Sequence, residues 1–292
     1  MITIIHQKLD KLVLSKSFTT LEEREIFNLA FNRAMFLWGQ GELSRRVRKY
    51  QTIFLKHYPE KTSIYIKFGA NKNGAIVWID FNPSKLDLET WVDFIFLCVE
   101  LFGENTVYET FKIQLLELAM DINKPMSYYI FLASGISNQN TFFKDNGTLY
   151  LGAKYSNRTF IIYDKQKQLQ EKKSKIISHP ITRVEARIRG TNLTMNQLHT
   201  IETPFKPLLV IPKIKLESLK LANQDKALYS FTQSLNQGIT GQEAYRQQGK
   251  EARKHLLEVF TPHSIKLGHS KEHWGKWLEY KRDLLFTVFT NA

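Results

Sequence analysis

Cysteine is all but missing from this chain: among 292 residues there is one, Cys98. A single thiol closes no internal disulfide, which excludes a disulfide-stapled secreted scaffold, fits a reducing cytoplasm, and rules out a zinc cluster built on several cysteines. Long apolar runs are missing as well. The most apolar stretch, Trp91 to Phe102, is interrupted by Asp93 and Glu100 and falls far short of the ~20 residues that a membrane span needs, so no membrane partner is expected. The opening residues, Met1-Ile-Thr-Ile-Ile-His-Gln-Lys8, lack the basic leader and apolar core of a signal peptide. The eight histidines include no His-x-His or His-Glu-x-x-His pair, and no Gly-rich loop ends in Lys-Ser/Thr. A histidine-built metal nuclease and a P-loop nucleotide site are therefore disfavoured. There is no internal repeat.

What the chain does have is basic charge and enough apolar material for a core. Lys and Arg number 41 against 28 Asp and Glu, a net charge of +13, while 43% of residues are hydrophobic and 13% aromatic. Such a composition excludes a disordered chain and allows one large or two modest domains. The surplus of positive charge concentrates polyanions near the surface and makes their binding salt-sensitive, so nucleic acid is the leading partner class.

Turn and period signals outline the elements. Thr20 stands three residues before Glu23, a capping box that opens a helix running to about Trp38. Ser63–Phe68 and Ala75–Phe81 are β-rich runs joined by Asn71-Lys-Asn-Gly74, whose Asn-Gly suits a tight hairpin turn. Leu86 to Phe102 reads as a largely buried helix stopped by Gly103. Strands are expected at Lys112–Ile122, Ser127–Ala133, Thr148–Tyr155, Thr159–Asp164 and Ile181–Arg189, with a polar, basic helix or loop between Lys165 and Lys175. Helices are expected at Ala222–Asn236, Gly241–Phe260 and Lys271–Thr290. Hairpins followed by helices, without regular βαβ alternation, predict an α+β fold: a mostly antiparallel, curved sheet with flanking helices and a helical C-terminal region.

Strand alternation places Glu117 and Asp121 on one face, on either side of Ala119. A pair of acids there suits a divalent cation or a basic partner, and suits equally a solvated strand face. Along Thr182–Arg189, the alternate positions Arg183, Glu185, Arg187 and Arg189 share a face. One acid within a basic stripe fits a phosphate-facing surface with a metal ligand, or an amphipathic strand with an internal ion pair. From Tyr150 to Arg189 ten bases face three acids, with Tyr150, Tyr155 and Tyr163 among them. A phenol, with an ordinary pKa of about 10, ionises more readily beside positive charge and can serve as a nucleophile; a strand tyrosine is also an ordinary packing residue. In the last third Arg246, Lys250, Arg253 and Lys254 give a basic helical face, suited to a major groove or simply to water.

Four segments in order, Trp78-Ile-Asp-Phe-Asn-Pro-Ser-Lys-Leu86, Leu116-Glu-Leu-Ala-Met-Asp121, Thr148 to Lys165 with its Ile-Ile-Tyr-Asp-Lys end, and Arg183-Val-Glu185, resemble the trans-acting rolling-circle replication initiators of staphylococcal-type plasmids, a family related to relaxases of integrative conjugative elements. The similarity covers about residues 60 to 190, and the helical C-terminus more loosely. The resemblance implies that Tyr163 is the nucleophile of a DNA nicking and joining enzyme, forming a 5′-phosphotyrosyl link and a free 3′-OH. It implies Mg²⁺ or Mn²⁺ held by Glu117, Asp121 and Glu185, and a phosphate held by Arg158, Lys165 and Arg183. It also implies a homodimer, double- and single-stranded origin DNA as substrate, and recruitment of a host helicase and DNA polymerase. By role the chain would divide into a catalytic region, 1–215, and a helical DNA-recognition region, 216–292. Glu117 stands where members often carry Asp, Lys154 where Arg is expected, and Leu115 and Ile161 where Arg is common. A conjugative relaxase with the same chemistry and a non-catalytic origin-binding protein are the alternatives.

Overall fold

The computed structural model describes residues 4–58, 62–71, 74–135, 142–144, 147–153, 156–173, 179–222, 225–267 and 271–286. Packing divides the chain into two compact units that interleave along the sequence. The first comprises residues 8–118, 188–202 and 271–292, and the second residues 1–7, 119–187 and 203–270. The class is α+β, as the turn and period signals predict, with antiparallel strand pairing and flanking helices.

The first unit is built on strands β1 (Ile4–Phe18) from Lys8 onward, β2 (Ser44–Arg48), β3 (Gln51–Tyr58), β4 (Thr62–Asn71) and β5 (Gly74–Phe81). Their order is β2-β3-β4-β5-β1, followed by β6 (Lys112–Ile122) as far as Leu118. The β4–β5 hairpin has the expected register, Tyr65 opposite Asp80 and Asn71 opposite Gly74; its turn, 72–73, lies outside the described residues. Helix α1 (Leu21–Gly39) starts on the predicted capping box: the Thr20 side chain accepts from the Glu23 amide at 3.1 Å, and the Glu23 carboxylate accepts from the Thr20 amide at 3.2 Å. The backbone amides of Thr19, at 2.8 Å, and of Thr20 donate to this carboxylate and hold it down at about 2. Phe27 and Phe31, one turn apart, bring α1 onto the sheet: their rings lie 5.5 Å from Phe68, and Phe31 lies 5.9 Å from Phe54. Helix α2 (Leu88–Phe102) is capped by Asp87 and ended by Gly103 at φ 88°. A short α3 (Thr106–Thr110) follows, and α9 (Lys271–Phe286) returns to this unit, where Arg282 meets His199 at 3.1 Å.

The second unit takes β6 from Ala119 onward, then β11 (Thr182–Arg189) up to Arg187, β10 (Arg158–Asp164), β9 (Thr148–Leu151) and β8 (Phe142–Lys144), in that order. The polar segment after β10 is a helix, α4 (Lys165–Lys173). A separate two-stranded ladder pairs β7 (Tyr129–Ala133) with β12 (Leu208–Pro212), and four helices pack with it: α5 (Lys213–Ala222), α6 (Lys226–Asn236), α7 (Gly241–Arg246) and α8 (Lys250–Phe260). Their shared core includes Ile130, Leu132, Ile211, Phe231, Leu256 and Phe260.

Several expected elements differ in extent. The strand expected from Ser127 begins at Tyr129, after a 3₁₀ turn over Met126–Tyr128. The helix expected from Ala222 begins at Lys226, because Asp225 caps it, accepting from the amides of Ala227 and Leu228. The helix expected over Gly241–Phe260 is two helices with a three-residue turn, since Gly249 opens α8 as its N-cap in extended geometry. The strand expected to Tyr155 ends at Leu151. Lys154, Tyr155 and Lys175 lie outside the described residues.

Candidate functional site

In the second unit, three neighbouring strands project a polar row from otherwise apolar surroundings. Arg183 and Glu185 stand two apart on β11 and so share a face. On one side, Arg183 donates from Nε to Asp121 Oδ1 at 2.6 Å and from Nη2 to Asp121 Oδ2 at 2.7 Å, joining β11 to β6 by a two-pronged fork. On the other side, Tyr163 Oη donates to Glu185 Oε1 at 2.7 Å, joining β11 to β10. All four residues are buried, Tyr163 at 9% exposure being the least enclosed. Lys165, the first residue of α4, carries its ammonium 5.6 Å from the centre of the Tyr163 ring and donates to Gln168 at 2.6 Å. The row thus holds two cations and two carboxylates around one phenol.

Each neighbour of Tyr163 has a chemical consequence. The Glu185 carboxylate is a placed acceptor for the phenolic proton, within the reach general-base transfer requires. The Lys165 ammonium, 5.6 Å from the ring centre, adds positive charge beside the phenol. The Cys98 thiol and two other phenols are poor rivals as nucleophiles: burial pushes the Cys98 thiol well above its ordinary range, burial and then the hydrogen bond to Asp93 do the same for the Tyr58 phenol, and burial raises that of Tyr129.

The residues expected to act together are brought together only in part. Tyr163, Glu185, Arg183, Asp121 and Lys165 form the row. Arg158 stands at the opposite end of β10, five residues from Tyr163; strand alternation sends it to the other face, about 17 Å away along the strand. Glu117 belongs to the first unit, where it lines a polar cleft of about 270 Å³ with Asp10, Lys11, Asp80 and Lys85. In that cleft Asp80 is bridged by Lys67 at 2.8 Å and Lys11 at 3.3 Å.

These positions bear directly on the cation implied by the resemblance. A Mg²⁺ ion draws oxygen ligands to about 2.0–2.1 Å. Both Asp121 oxygens accept from Arg183, and Glu185 accepts from Tyr163. Among the described residues no group of three or more His, Cys, Asp or Glu side chains is set to hold a metal ion. Asp121 and Glu185, engaged in this way, are not by themselves a ready-made divalent-cation site.

Of the C-terminal cations, Lys250, Arg253 and Lys254 share one face of α8, with Lys250 and Lys254 exposed and Arg253 half-buried. Arg246 does not join them on that helix: it ends α7, half-buried, its Nε without a hydrogen-bond partner among the described residues. Phe231 of α6 packs on Phe260 of α8 at 5.2 Å, so α8 is held against α6, and a three-residue turn joins it to α7. Sequence reasoning missed the pairing of Tyr163 with Glu185, although the shared face of Arg183 and Glu185 was in view. It also missed Gln242, whose side chain accepts from the Ala133 amide at 2.7 Å and donates to the Ala133 carbonyl at 3.1 Å.

No protein-family model matches the chain, and a search of curated proteins finds no match to it. Among the described residues, no helix is long and apolar enough to cross a membrane.

Proposed function

We propose that the chain is a DNA nicking and joining enzyme in which Tyr163 is the nucleophile and Glu185 its proton acceptor, acting as a rolling-circle replication initiator. The observation that carries this reading is the 2.7 Å hydrogen bond from Tyr163 Oη to Glu185 Oε1, in a buried row with cations on either side. As Oη attacks phosphorus, its proton passes to Glu185. The O–P bond to tyrosine forms, the bond from phosphorus to the 3′ oxygen breaks, and the leaving oxygen takes a proton from water. The products are a 5′-phosphotyrosyl protein and a free 3′-OH, and the phosphoester energy is retained for rejoining. Lys165 offsets the charge that builds on the phosphate. Arg183 fixes Asp121 and the central strand so that Glu185 faces Tyr163. The basic face of α8 supports a role in binding duplex DNA at the origin.

The test uses 5′- and 3′-labelled single-stranded oligonucleotides from the replicon of the chain, incubated with the protein, Tyr163→Phe and Glu185→Gln, with Mn²⁺ or with EDTA. The expected result is a covalent protein–DNA band for wild type, none for Tyr163→Phe, and formation slowed about 10²–10⁴-fold for Glu185→Gln, the usual range for removing a general base. An adduct surviving in Tyr163→Phe would move the nucleophile to Tyr150 or Tyr155. Tight origin binding with no adduct in either medium would favour a non-catalytic DNA-binding protein. The EDTA arm reports whether a cation must enter the row that Arg183 and Tyr163 now occupy.

A further inference from the structure

The hairpin of β2 and β3 carries charge that the nicking site does not use. Residues 43–58 include Arg45, Arg46, Arg48, Lys49 and Lys56 and no acid. Arg48 pairs with Gln51, leaving Lys49 and Tyr50 as a two-residue turn, and β2 is the terminal strand of its sheet order, so its outer edge has no partner strand among the described residues. Alternation places Arg46 and Arg48 on one face, and Arg45 and Val47 on the other. The Arg45 guanidinium stacks 4.9 Å from the centre of the Trp38 ring, and the Lys49 ammonium lies 5.1 Å from that of Tyr50. At the tip Val47 is 66% exposed and Tyr50 72%.

Edge strands often carry a charge or two, mostly lysine, to block pairing with other chains. That purpose accounts poorly for this tip. Four cations in five residues exceed it, three of them are arginines whose forks match phosphate oxygens, and an exposed valine and tyrosine work against it. Basic side chains beside exposed apolar ones suit a nucleic-acid groove, where cations meet the backbones and apolar groups meet sugars and base edges. The major groove of B-form DNA admits a two-stranded ribbon, whereas that of A-form RNA is too narrow.

We infer that the β2–β3 hairpin is a second DNA-binding element, a ribbon that enters the groove of a duplex and holds its phosphates through Arg46, Arg48 and Lys49. This does not depend on Tyr163 being a nucleophile.

The test compares the full chain with a variant carrying Arg46→Gln, Arg48→Gln and Lys49→Gln, and with Tyr50→Ala. Affinity for a labelled duplex and for one of its single strands is measured across salt. Because each phosphate contact contributes about 0.9 to the slope of log affinity against log salt on a duplex, the triple variant should flatten that slope by about 2.7. Arg46→Lys/Arg48→Lys should keep most of the slope, and Tyr50→Ala should weaken binding at every salt with the slope unchanged. Matching thermal melts for all variants establish that each is folded. An unchanged duplex slope overturns the inference, as does a loss confined to the single strand, or one confined to phosphatidylserine vesicles, which would mark the hairpin as a membrane-surface element. The covalent adduct, read in the same preparations on a short single strand, reports separately on Tyr163.

Discussion

Asp121 and Glu185 are carboxylates on neighbouring strands, and the structure gives them different tasks. Asp121 is 4% exposed with both oxygens engaged by Arg183. Removing it takes the two-pronged partner from a buried guanidinium, and breaking a buried ion pair from one side costs about 3–5 kcal/mol. Asp121→Ala is therefore expected to lower stability by that much in urea unfolding, while Asp121→Leu combined with Arg183→Met recovers most of the loss, because the two desolvated charges go together. A small loss in the single variant would show that Arg183 has another anchor and that Asp121 is free for a different role. Glu185 contrasts with it, since its bond partner is a phenol and Glu185→Gln keeps a polar group in place. The sequence pattern shows the shared face of Arg183 and Glu185. It does not show which neighbour each meets, because that depends on the register of β6, β10 and β11, set by contacts far apart along the chain.

Helix α7 meets strand β7 at a residue chosen for its size. A Cβ on Gly241 would lie 2.4 Å from Ile130 Cγ2 and 3.4 Å from the Phe131 carbonyl oxygen. Alanine is the better helix former, yet Gly241→Ala should destabilise by about 1–3 kcal/mol, the usual range for overpacking. Equilibrium denaturation checks the sign, and a stabilised variant would mean that α7 moves away from β7 without loss. Elements with strong local signals were legible: the Thr20–Glu23 box opens α1, and β6 has the expected bounds, Lys112–Ile122. The break between α7 and α8 was not: the polar run 246–251 has no apolar residue to mark where a period stops, a glycine is tolerated within a helical pattern, and only the tertiary fit decides that Gly249 caps. Strand β1 escaped notice for another reason. In β1 the buried residues Leu9, Leu12 and Leu14 change parity between Leu9 and Leu12, and this breaks the period-2 pattern by which a strand is recognised.

At the scale of the whole molecule, the compact units are not successive stretches of sequence. The chain passes between them at 7/8, 118/119, 187/188, 202/203 and 270/271. A fragment ending at residue 215 would strip α6, α7 and α8 from the second unit, exposing Ile130 and Leu132 of its core and removing Gln242 from the backbone of Ala133. The same cut removes α9 from the first unit. Such a fragment is expected to aggregate and to lack a cooperative unfolding transition; a monomeric 1–215 fragment melting cooperatively would show that packing and role divide the chain at the same place. The grip of Gln242 on β7 has a further consequence, for descent. A helical segment whose side chain completes the hydrogen bonding of a strand more than a hundred residues earlier cannot be traded between relatives as a cassette. Any new preference in what α8 contacts must then arise one substitution at a time, on the exposed face that carries Lys250 and Lys254.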